Sequence, residues 1–223
     1  MTLGGAAVAL TGTLGHRTPA PSADPGILDF AYDGARRGVL LEPSPAHRAH
    51  ACPLIVLFDP LGDARGIVAR YALAARDRGW VAASTNDAAN GTSYETVTAL
   101  ALALVDAVRA RLPVDPDRVY AGGFSGGGCN AYRLAIVKRE VVRGAIVECG
   151  HMAPWRDVGD MAQASSRFFL FTRADDFNRP ATRQLRDAMV ARRCGVEEVE
   201  LPGGHMPMEP AEVGRALDWL DRT

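Results

Sequence analysis

Two hydrophobic rhythms take turns along the chain from Ile27 onward. Pro53–Phe58 (PLIVLF) is apolar throughout and has strand length, as expected of a central strand buried on both faces of a parallel sheet. Trp80–Ser84, Val119–Phe124, Gly144–Glu148, Phe168–Thr172 and Glu197–Leu201 are further strand-length segments. Between them lie stretches with apolar residues three and four apart. These predict helices over Ala64–Arg78, Thr92–Leu112, Gly127–Glu140, Arg179–Arg193 and Pro210–Asp221, with Pro113 stopping the second. Ile27–Tyr32 and Arg37–Glu42 read as two strands around the turn Asp33-Gly34. A small β start followed by strand and helix in alternation predicts an α/β domain, with a mostly parallel central sheet and helices on both faces. The segment between Gly150 and Ser166 is too short for a large cap domain, and no internal repeat is seen.

Composition narrows the picture. The chain has 223 residues, which suits one core, since single cores stop growing near ~250–300 residues. With 48% hydrophobic and 23% charged residues it matches an ordinary globular domain. A net charge of −1 does not provide the basic face that nucleic acid requires. No apolar run reaches the ~18 residues of a membrane span. Cys52, Cys129, Cys149 and Cys194 lack paired metal spacing and read as small buried hydrophobes; one disulfide remains open for an exported protein. Residues 1–26 form an N-terminal arm before a domain at 27–223. The apolar stretch Thr2–Leu14 resembles part of a signal segment but lacks the preceding positive charge, so localisation stays open.

The chemistry centres on Gly123-Phe124-Ser125-Gly126-Gly127, a G-x-S-x-G pattern between an apolar strand and a helix. That is the setting of a nucleophile elbow, and it points to the α/β-hydrolase fold. A serine at a sharp strand-to-helix turn stands exposed above the sheet, and flanking glycines remove Cβ atoms that would clash. The helix start offers N–H groups to a developing oxyanion. Serine needs a base, and the base needs an orienting acid. In this fold they follow in the order Ser, acid, His. Downstream of Ser125 the histidines are His151 and His205. His205 follows the last strand and is the expected base. His151 precedes the good acid candidates and is expected at the site rim or in a structural hydrogen bond. Asp175 and Asp176 both follow the Phe168–Thr172 strand, and residue physics leaves the choice between them even. Glu148 is a less favoured substitute. Gly126 is one expected oxyanion donor. Leu61, in Asp59-Pro60-Leu61-Gly62, is the other, because Pro60 has no N–H.

The stretch from Val114 to Gly128 resembles the elbow region of compact α/β-hydrolases related to polyhydroxybutyrate depolymerases and feruloyl or acetyl xylan esterases. A weaker resemblance runs from about Tyr32 to Leu220. It implies ester hydrolysis through an acyl-enzyme on a small-molecule or polymeric ester, without metal or cofactor. It also implies a Gly-x-x-Asp pattern after the penultimate strand. Arg173-Ala174-Asp175-Asp176 fits that pattern with Arg173 in the glycine position, which selects Asp176. Two departures stand out: Arg173 itself, and Asp59-Pro60 where many members have His-Gly. Trp155, Met152, Phe177 and Met206 follow strand ends and are expected to line the substrate cleft. A peptidase or thioesterase with the same triad, or an inactive binding protein on the same fold, are the competing readings.

Overall fold

The computed structural model describes residues 24–150 and 165–222. Most of the N-terminal arm lies outside the described residues, as do His151, Met152 and Trp155 and the segment where a cap would insert. The strands are β1 (Gly26–Ala31), β2 (Ala35–Leu41), β3 (Cys52–Phe58), β4 (Val81–Thr85), β5 (Val114–Phe124), β6 (Gly144–Glu148), β7 (Arg167–Arg173) and β8 (Gly195–Leu201). The helices are α1 (Ala64–Asp77), α2 (Tyr94–Arg111), α3 (Gly126–Val137), α4 (Arg179–Ala191) and α5 (Pro210–Leu220).

The eight strands form one sheet in the order β1-β2-β4-β3-β5-β6-β7-β8. The β1–β2 hairpin and the β2–β4 pair are antiparallel, and every later pair is parallel. The hairpin turns where Asp33 and Gly34 both take positive φ, which the Asp-Gly pair tolerates. Side chains alternate across the sheet. Leu54 and Val56 of β3 pack with Leu104 of α2, Leu134 of α3 and Leu185 of α4. Ile55 and Leu57 pack with Val68 of α1 and Leu217 of α5. Two faces are thus buried, which is why β3 has no polar residue. All four cysteines are buried, as expected of small hydrophobes.

β5 starts five residues before the expected Val119. Its pairing with β3 jumps from Cys52↔Val114 to Leu54↔Val119, so Asp115–Arg118 bulge out of the ladder. Pro116 has no N–H for a ladder bond, and Asp117 donates its own to the Asp115 carboxylate at 2.9 Å. At the far edge β8 is ringed by ion pairs. Glu198 meets Arg186, Glu200 meets Arg179 and Arg183, and Glu197 meets Arg215. The carboxyl ends of β3, β5, β6, β7 and β8 converge on one rim of the sheet, where α/β sites assemble.

Candidate active site

Ser125 links β5 to α3 at φ 53°, ψ −119°, in the left-handed region that a non-glycine residue rarely adopts. Packing forces this turn. A Cβ on Gly123 would lie 2.5 Å from Gly127 backbone atoms, and one on Gly127 would lie 2.0 Å from the Phe58 carbonyl oxygen. The Ser125 N–H donates to the Glu148 carbonyl at 2.8 Å, which fixes the turn to the end of β6. Ser125 is the N-cap of α3, yet its hydroxyl does not cap the helix. It faces His205 instead: Oγ lies 2.9 Å from Nε2. The N–H of Gly126 belongs to the first turn of α3, where helix geometry supplies no acceptor.

His205 sits on the loop between β8 and α5. Its Nδ1 lies 3.0 Å from Asp176 Oδ1. The structure therefore brings together Ser125, His205 and Asp176, and separates them from the other acids. Asp175 is solvent-exposed and offers its N–H to the Gly203 carbonyl at 2.9 Å. Glu148 is fully buried and engaged elsewhere, accepting from Arg70 Nη1 and Tyr71 Oη at 2.7 Å and from the Met208 N–H at 2.9 Å. Asp176 is 4% exposed, and its Oδ1 also accepts the Asn178 N–H at 2.8 Å. Two phenyl rings pack against the imidazole, with centroids 4.8 Å from it for Phe124 and 4.2 Å for Phe177.

Leu61 stands differently from expectation. Its N–H donates to Asp59 Oδ1 at 2.8 Å, and the same oxygen accepts the Asp63 N–H at 3.1 Å. The aspartate that replaces the expected histidine folds back on its own loop. Asn90, which sequence reasoning passed over, supports that loop by donating its backbone N–H to Pro60 at 2.9 Å. Its side chain lies where a Cβ on Gly126 would be, so residue 126 has to be glycine for Asn90 to stand there. Asn90, Thr92, Tyr94, Gly126, Cys129 and Asn130 line a cleft of about 100 Å³ beside the elbow. Leu61, Phe177 and Met206 are all exposed large apolar side chains. Phe177 covers one face of His205, and Met206 follows it in the chain.

Cys149 is buried at the end of β6 with φ 48°. Burial first, and then the neighbouring Asp176 carboxylate, push its thiol far up, so it stays protonated; the sulfur donates to the Met206 carbonyl at 3.3 Å. Among the described residues Cys149, Asp176 and His205 are the one group whose ligand atoms lie close enough for a cation, within 4.8 Å of one another. Both His205 nitrogens of this group are engaged, Nδ1 with Asp176 and Nε2 with Ser125.

No protein-family model and no curated protein matches the sequence. Solved structures match in shape. An esterase of Pyrobaculum calidifontis superposes with TM-score 0.71 at 15% identity, covering 90% of this chain and 86% of that one. Est1E from Butyrivibrio proteoclasticus gives 0.69 at 14%, covering 89% and 100%. FphF, a fluorophosphonate-binding serine hydrolase of Staphylococcus aureus, gives 0.67 at 14%, covering 88% and 98%. Identities this low carry architecture and no more. With this strand order, the elbow between β5 and α3, and these likenesses, the chain has the α/β-hydrolase fold.

Proposed function

We propose that this protein is a serine hydrolase that cleaves carboxylic esters through an acyl-enzyme. The observation that carries the reading is the unbroken line from Ser125 Oγ to His205 Nε2 at 2.9 Å and from Nδ1 to Asp176 at 3.0 Å. In this reading Ser125 attacks the ester carbonyl while His205 takes its proton. The imidazolium then delivers that proton to the departing alcohol. Asp176 keeps the proton of the resting imidazole on Nδ1 and stabilises the cation that forms. Water, activated by the same histidine, releases the acid and restores Ser125. The exposed apolar side chains of Phe177 and Met206 suit an acyl or aryl ester group.

The Gly126 N–H provides one oxyanion contact. Leu61 provides the second once its N–H turns from Asp59 to the substrate. That exchange sets one charge-assisted hydrogen bond against another, so the hole is completed on binding rather than preformed.

The test is reaction of the purified protein with a fluorophosphonate probe, followed by turnover of short acyl esters. Wild type should label at Ser125. Ser125→Ala should stay folded, fail to label and retain only the residual rate of binding and oxyanion contacts, on the order of 10⁻⁶ of wild-type kcat in a comparable triad. Near-wild-type turnover by that variant would sink the mechanism. Preferential turnover of anilides or thioesters would move the assignment to a peptidase or thioesterase.

A further inference from the structure

We infer that Arg173 is a positioning residue, whose buried guanidinium holds the His205 loop in register with Ser125 and Asp176. The inference rests on the hydrolase reading for its kinetic consequences and on geometry alone for the clamp.

Arg173 is the last residue of β7, is 9% exposed, and occupies the position where the resemblance implies glycine. Its side chain turns under the loop that carries His205. Nη1 donates to the Pro202 carbonyl at 3.0 Å, Nη2 to the Pro207 carbonyl at 3.1 Å, and Nε reaches the Met206 carbonyl at 3.4 Å. These acceptors lie on both sides of His205 in the chain, so one planar fork spans the loop. The guanidinium also stacks over the Phe171 ring at 5.2 Å. Among the described residues no carboxylate forms an ion pair with Arg173. Burying a cation is costly unless its N–H groups are hydrogen-bonded, and here three carbonyl oxygens accept from it.

The loop needs such a clamp. It contains Gly203-Gly204, with Gly203 at φ +115° and no atom near a Cβ built on Gly204. Two adjacent glycines leave a free chain many conformations. The neighbouring bonds act at single points: Asp175 N–H on the Gly203 carbonyl, the Cys149 thiol on the Met206 carbonyl, and the Met208 N–H on Glu148. Among the described residues, Arg173 alone joins the entry of the loop to its exit by its side chain. Lysine would retain the charge but not the fork.

The experiment compares wild type, Arg173→Lys and Arg173→Gly by steady-state kinetics, fluorophosphonate labelling and hydrogen exchange. Displacing a catalytic group by ~1 Å costs about 10² in rate. Arg173→Gly should therefore lose about 10² in kcat, keep KM close to that of wild type, and label more slowly in parallel. Added guanidinium ion, which can reoccupy the vacated fork, should restore part of the rate; Arg173→Lys should remain impaired. Amide exchange at 203–208 should accelerate in Arg173→Gly while α1 keeps its protection. A folded Arg173→Gly with wild-type kcat and labelling rate overturns the inference, as does a loss that guanidinium does not relieve. If wild type itself fails to label, the hydrolase reading falls. Hydrogen exchange then still decides the clamp, and unchanged protection at 203–208 refutes it.

Discussion

At the scale of residues, the two adjacent aspartates are told apart by direction. Side chains of neighbours in extended chain leave on opposite sides. Asp176 turns inward to His205 while Asp175 stays in solvent. Asp176→Asn should therefore lower kcat by about 10⁴, the cost of presenting the wrong imidazole tautomer in a triad. Asp175→Asn should leave kcat within a few-fold of wild type. Parallel measurement of kcat/KM for both variants checks this, and the reverse ranking would exchange their roles. Ser125 and His205 were legible because a nucleophile elbow and a histidine after the last strand are local patterns. The choice of Asp176 was not legible from the residues, since adjacency in sequence says nothing about which carboxylate turns in. The commitment of the Leu61 N–H to Asp59 was likewise hidden, because Asp59-Pro60-Leu61 states which donors exist and not where they point.

At the scale of elements, Glu148 joins three parts of the fold. Its side chain at the end of β6 accepts from Arg70 and Tyr71 of α1 and from the Met208 N–H just before α5. Burial first, and then the charge of Glu148, hold the Tyr71 hydroxyl well above its ordinary range, so it remains a donor. Removing one partner from a buried charged group costs about 3–5 kcal/mol. Glu148→Ala should show a loss of that size in urea unfolding, with the denaturant slope unchanged; a loss within the range of a surface substitution would mean that water replaces the carboxylate. Sequence placed Glu148 at the end of a strand but offered its carboxylate as a triad substitute. Its partners Arg70 and Tyr71 lie far away in the chain, and no periodicity reports such a contact. The strands and helices themselves were legible because the sheet is buried on both faces and each run carries its own signal. The early start of β5 was not, since the ladder partner Val114 is separated from Val119 by the polar bulge at Asp115–Arg118.

At the scale of the whole molecule, α1 and α5 close one face of the sheet, and a bidentate pair crosses between them. Asp218 accepts from Arg78 Nε at 2.6 Å and Nη2 at 2.9 Å. The hydrogen bond from Arg78 holds the Asp218 carboxyl below its ordinary value. A depressed carboxyl contributes stability above its unfolded pKa, and that contribution is lost as pH falls through the folded value. The pair is partly exposed, so its worth is at most about 1 kcal/mol. Asp218→Asn should lower Tm slightly at neutral pH, and the difference should close as pH drops through the carboxylate range. Thermal unfolding at several pH values checks this; a difference that persists in acid would assign the effect to packing. The opposite border of the molecule bears on how copies meet. An open sheet ends in a row of unpaired N–H and C=O groups, a template on which another chain can grow. At β8 that template is fenced by Glu197, Glu198 and Glu200 with the arginines of α4 and α5. A second molecule adding a strand there would have to dehydrate these ion pairs, and the same charges that trim the last strand thus guard a crowded solution against fibril-like stacking.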